Sequence, residues 1–165
     1  MIVMKKCCLS MLLLLCGLGR GQKAADEGWS ELLPPGEGRD LALSSCGTCH
    51  NLKVVVHARK DHDAWAKSVN DMIQRGAQIF PEEIGPITAY LSKSFGASVP
   101  MLVNVNTASR QELEKLPNMS PEIAARILEA RAKAGNLKNP EELRRALGME
   151  KAEFEKIQYS LEYKN

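Results

Sequence analysis

Two thiols and an imidazole stand together at Cys46-Gly47-Thr48-Cys49-His50. Residues three apart share one face of a helical turn, so both sulfurs can address the edge of a single bound group. His50 follows directly and falls beneath that group as a nitrogen donor. The spacing is the attachment signature of a c-type haem, with Cys46 and Cys49 as the covalent links and His50 as the proximal iron ligand. Two other chemistries compete for the same cysteines. One is a simple disulfide. The other is a zinc site made from Cys46, Cys49, His57 and His62, which leaves His50 idle and has an unusually short gap between its cysteine and histidine pairs.

Compartment follows from the start of the chain. Lys5 and Lys6 precede an apolar run over residues 9–18, then small and polar residues. This reads as an export signal over residues 1–21, and the run falls short of the roughly 20 apolar residues a membrane span needs. The expected location is periplasmic, with no membrane span after signal removal. Cys16 raises a lipid anchor as an alternative, although Leu15 stands where a small residue is expected. Signal removal takes Cys7, Cys8 and Cys16 with it, leaving only Cys46 and Cys49, so no cystine framework is available. It also removes three of the 22 basic residues, leaving 19 against 20 acids. No basic field then argues for nucleic acid.

The elements that must position the motif are helical. Residues 22–37 are polar and rich in Pro and Gly, a flexible lead-in. Residues 38–97 form the haem unit. A first helix over residues 39–46 enters the motif. A second, over 61–75, repeats Trp65, Val69, Met72 and Ile73 on one face. A third runs over 81–95 with Ile87, Tyr90 and Leu91 as its stripe, and Pro86 predicts regular helix only from about Gly85. About 60 residues bury little core unaided, so a bound macrocycle is expected to serve as the apolar centre. Residues 96–100 read as a boundary. A second unit over residues 101–163 shows four short helices. Ser109 with Glu112 forms a capping box, Ser120-Pro121 and Asn139-Pro140 open helices, and Gly135 and Gly148 close them. No strand pattern of useful length appears. The expected fold class is all-α.

Residues 38–96 resemble small class I-like cytochromes c, nearest to haem domains associated with quinoprotein dehydrogenases. The residues that carry the likeness are Cys46-x-x-Cys49-His50, Trp65-x-x-x-Val69-x-x-Met72-x-x-x-Gly76-Ala77, Glu82-Glu83 and Ile87-x-x-Tyr90-Leu91. The resemblance implies three helices around one covalently attached haem c, with Met72 as distal iron ligand. Read without the motif, Met72 is a plain core methionine on an apolar face, and Met101, His57 and His62 are the other ligand candidates. A His/Met pair fills both axial positions, and the soft thioether favours Fe(II). Such a site carries an electron and is not an enzyme. If Met72 did not bind, the open position would admit peroxidase-like chemistry or a small gas.

Residues 102–162 resemble the helix-hairpin-helix domain of the competence DNA-uptake protein family. The likeness rests on Val105-Asn106-Thr107-Ala108-Ser109, Glu112-Leu113-x-x-Leu116-Pro117, Ala124-Ala125-x-Ile127 and Arg131. It continues through Glu142-Leu143 and Leu147-Gly148-Met149. It implies tandem hairpins, residues 113–127 and 143–157. In that family the loop glycines let backbone N–H groups approach a DNA phosphate. Here Leu116-Pro117-Asn118-Met119-Ser120 has lost both glycines, and the second loop keeps Gly148 but places Glu150 at the other position. From residue 101 onward 11 Lys/Arg face 10 Asp/Glu, with Arg126, Arg131, Lys133, Arg144 and Arg145 as the candidate patch. The expected function is therefore a periplasmic monohaem carrier between a dehydrogenase and a respiratory cytochrome, with the second unit for docking. The alternative is a haem-containing DNA-binding protein.

Overall fold

A computed structural model of the chain describes residues 28–164. The expected export signal, with Cys7, Cys8 and Cys16, lies outside the described residues. A 3₁₀ turn, Trp29–Leu32, precedes eight α-helices: α1 Arg39–Cys46, α2 Lys53–Val56, α3 His62–Gln74, α4 Pro81–Ser94, α5 Arg110–Glu114, α6 Pro121–Ala134, α7 Pro140–Leu147 and α8 Lys151–Gln158. Two short strands, β1 Val103–Asn104 and β2 Leu161–Glu162, pair in parallel with Val103 opposite Leu161. The described chain is thus mostly helical. The strands are too short for any alternation of side chains to announce them.

Buried side chains fall into two clusters. The first runs from Leu32 to Leu102 and the second from Val105 to Leu161. In the first, α3 presents Trp65 and Val69 and α4 presents Ile87, Tyr90 and Leu91. The Asp61 carboxylate caps α3 by accepting from the Ala64 N–H at 2.8 Å. The C-terminus of α3 closes through Gly76, whose φ of 98° lets the Ala77 N–H reach back to the Met72 carbonyl at 3.0 Å. Phe95 then ties α4 to α3, because its carbonyl accepts from both the Lys60 N–H and the Trp65 indole.

The structure departs from the sequence expectations in three places. The lead-in is ordered from Trp29 onward: Leu32 and Leu33 are buried, Arg39 donates to the Leu33 and Ser30 carbonyls, and the Tyr90 hydroxyl donates to the Pro34 carbonyl at 2.8 Å. Polar and turn-forming neighbours concealed a short apolar plug. Second, α4 is continuous from Pro81 rather than from about Gly85. Proline at the first position is tolerated, and the Glu83 carboxylate accepts from the Phe80 N–H at 2.9 Å, so the first turn is secured before Pro86 is reached. Third, α2 was not expected; its Lys-Val-Val-Val sequence buries Val55 and Val56.

The two clusters meet at a polar joint. His57 follows α2, and its Nε2 lies 2.7 Å from the Glu162 carboxylate in β2 while its Nδ1 lies 3.0 Å from the Lys53 carbonyl. Lys164 donates to the other Glu162 oxygen at 2.7 Å, and Trp29 packs edge-on against the His57 ring. Arg59 anchors the connection by donating to the Val99 and Pro100 carbonyls.

Candidate functional site

Cys46 ends α1, and the chain then turns through Gly47 and Thr48 before Cys49 and His50. A side chain at Gly47 would meet the Leu43 carbonyl at 2.8 Å, so the first turn after the helix is reserved for glycine. The Thr48 hydroxyl donates to the Ser44 carbonyl at 2.6 Å and holds the loop against α1. The expected helical presentation of the two cysteines is therefore half right: one sits on the last helical turn and the other on the turn that follows.

Both cysteines, His50 and Met72 line one cavity of about 450 Å³. Val55 of α2, Trp65 and Val69 of α3, and Ile87 and Leu91 of α4 supply its apolar wall, while Ala77 and Ile79 line it just after the α3 terminus. The size falls within the range of small-molecule and cofactor pockets. The chain between residues 46 and 50 thus faces α3 across a cavity lined mainly by hydrocarbon.

Nδ1 of His50 lies 3.2 Å from the Asn51 carbonyl. A carbonyl only accepts, so Nδ1 is the donor in this contact and Nε2 is the ring nitrogen not engaged by it. Burial pushes the Cys46 thiol up to about 11, which keeps that sulfur protonated at neutral pH. Met72 is half-buried on the α3 face that also carries Trp65 and Val69. The other ligand candidates lie elsewhere. His57 is turned to Lys53 and Glu162, His62 is exposed beside Asp63, and Met101 is exposed; none of the three lines the cavity. The zinc set of Cys46, Cys49, His57 and His62 is therefore not brought together.

Two hairpins make up the second unit, α5 with α6 and α7 with α8. Asn118 takes the left-handed conformation in the first loop with φ 59°, a backbone state asparagine tolerates better than other non-glycine residues. Its side-chain amide donates to the Lys156 carbonyl at 3.1 Å, tying one hairpin to the other. Leu116 and Met119 on either side are buried. Ser120 caps α6 by accepting from the Ile123 N–H. Gly148 takes the left-handed turn of the second loop with φ 57°.

Charge at the hairpin tips is partly anionic. Hydrogen bonds from the Ser120 side chain and its own backbone N–H hold the Glu122 carboxyl below its usual range, and Glu150 stands at the start of α8. Much of the expected basic patch is engaged within the unit. Arg131 donates to the Val105 and Ala108 carbonyls, Arg144 to Glu141 and the Met149 carbonyl, and Arg145 lies 3.6 Å from Glu141. Sequence reasoning missed Asn106, whose amide both accepts from the Leu137 N–H and donates to its carbonyl. An asparagine opening a helical unit was the available signal.

Residues 101–162 match the family model of the helix-hairpin-helix motif. The second unit carries that motif. No curated protein and no solved structure matches the chain. Among the described residues no helix is long and apolar enough to cross a membrane.

Proposed function

We propose that the chain is an exported monohaem c-type cytochrome that carries single electrons, with its helix-hairpin-helix unit as a docking module. The observation that carries this reading is convergence: the two thiols, the imidazole and the thioether named by the motif and the resemblance line the same cavity. Haem c fits the donor set. Cys46 and Cys49 would hold it through thioether links, and His50 and Met72 would supply a nitrogen and a sulfur to its iron. When bound, the group supplies a one-electron iron couple.

The chain's own residues then define what such a site does. With a thioether and an imidazole both available as donors, the group would serve electron transfer rather than turnover. Val55, Val69, Ile87 and Leu91 keep water from the walls, and a low local dielectric disfavours the more highly charged iron state. The partner would be a dehydrogenase on one side and a respiratory cytochrome on the other, with the site in the periplasm.

Expression alongside a cytochrome c maturation apparatus tests the reading. The expected product is red, with the haem retained after denaturation and lost in Cys46→Ala/Cys49→Ala. Met72→Ala should abolish the thioether-to-iron charge-transfer absorption of the oxidised protein. A colourless purified wild type refutes the proposal.

The family match favours a second reading, DNA binding by the helix-hairpin-helix unit. Retention on duplex DNA that weakens steeply with salt would support it. Glu122, Glu150 and the internally engaged arginines argue for docking instead.

A further inference from the structure

Two cations line the cavity, Lys60 and Arg75, and they are held differently. Arg75 follows the α3 terminus and is exposed. Lys60 is half-buried, and its backbone N–H is fixed on the Phe95 carbonyl. Its ammonium donates to the Ser68 hydroxyl at 2.6 Å and lies 5.0 Å from the centre of the Trp65 ring. Ser68 in turn donates to the Ala64 carbonyl, so its oxygen is oriented to accept. One of the three ammonium protons is used by this contact, and no carboxylate lies within 4.0 Å of the nitrogen among the described residues.

A cation pinned at the wall of an apolar cavity, with donors to spare, is poised for an anion on whatever fills the cavity. The protein's own nearby acid does not take that role. Asp71 also lines the cavity, yet its carboxylate is bound by Lys67 at 2.7 Å, and that hydrogen bond above all holds it below its usual range.

We propose that Lys60 is a positioning residue that pairs with a carboxylate of the bound macrocycle and so fixes its orientation and charge. The inference rests on the haem reading, since haem c carries two propionate groups. The other charged or titratable groups lining the cavity are Asp71 from α3, Arg75 just after it, and Cys46, Cys49 and His50 from the motif; α2 contributes only Val54 and Val55 to the lining. Lys60 alone combines restraint from a hydroxyl and an aromatic face with no carboxylate in direct contact among the described residues; Asp71 feels its charge, but less than the hydrogen bond from Lys67. Loss of its charge should favour the oxidised iron, and the unpaired carboxylate should then take up a proton nearer to neutral pH.

Midpoint potentials of the purified holoprotein, measured across pH for the wild type, Lys60→Met, Lys60→Arg and Arg75→Met, test this. Lys60→Met should show a lower potential at neutral pH and a new pH dependence in the mildly acidic to neutral range. Lys60→Arg should track the wild type, and Arg75→Met should not gain the new dependence. If Lys60→Met fails to mature, Ser68→Ala carries the test, with a shift in the same direction expected from the freed ammonium. A haem-loaded Lys60→Met (or, where that fails to mature, Ser68→Ala) that retains the wild-type potential and pH profile overturns this inference alone. So does the new dependence appearing in Arg75→Met and not in Lys60→Met. A wild type without haem overturns the cytochrome reading and this inference with it.

Discussion

Gly38 and Gly28 have almost the same backbone, with φ, ψ of 83°, −6° and 81°, 5°, in different surroundings. A side chain at Gly28 would meet no atom within 4 Å among the described residues. At Gly38 the added carbon would lie 2.5 Å from the Pro86 carbonyl oxygen and 3.0 Å from Cβ of Tyr90, where α1 crosses α4. Gly28→Ala therefore reports the conformational cost of the left-handed region, about 1–2 kcal/mol. Gly38→Ala adds overpacking between two helices, about 1–3 kcal/mol more. The clash is with backbone, so a side-chain rotation cannot relieve it. The total, roughly 2–5 kcal/mol, is a large share of the stability of a small unit. Guanidinium unfolding of the purified protein, followed by circular dichroism at equal slope, measures both losses. Equal losses for the two variants would refute the close crossing of α1 and α4, and with it the support under Cys46.

Other expectations concern the joint and the loops. The Glu162 side chain is almost fully buried and His57 mostly so, which makes the contact strong enough to measure: a double-mutant cycle of His57→Gln and Glu162→Gln should give about 1–3 kcal/mol of coupling. Coupling within error of zero would remove the joint. Asn118→Ala loses both the tolerated left-handed turn and the bond to Lys156, so a loss of about 1–3 kcal/mol is expected in chemical denaturation, whereas Asn118→Gly should lose less. Burial pushes the Tyr90 phenol up to about 12 from an ordinary 10. A raised value means that its contribution to stability is complete below pH 10 and is lost as pH rises through about 12. Alkaline unfolding should therefore be shallower in Tyr90→Phe over that window, and identical slopes would contradict the assignment.

What could be read in the chain and what could not divide along physical lines. Local signals worked: Ser109, Ser120 and Asn139 all cap helices, and the repeat of Trp65, Val69 and Met72 marks one face of α3. The motif residues stood out because chemistry-bearing types at fixed spacing are rare, Met72 was named by the resemblance, and the structure places all four along one cavity. Non-local partners were not legible. Nothing in the neighbourhood of His57 announces Glu162, 105 residues away, and nothing in a two-residue strand announces its mate. Leu32 and Leu33 were hidden by prolines and glycines that usually mark loops. Lys60 reads as an ordinary surface charge until α3 shows that Trp65 and Ser68 stand one and two turns on.

The pairing of β1 with β2 also sets a schedule for assembly. Val103 opens the second unit and Leu161, its partner, arrives last, so the ring of helices between them cannot be zipped shut by a partial polypeptide. The cluster around the cavity has all its members by Leu102. During synthesis the first half can settle while the second waits, and the long loop closed by the final strand makes that wait an entropic one.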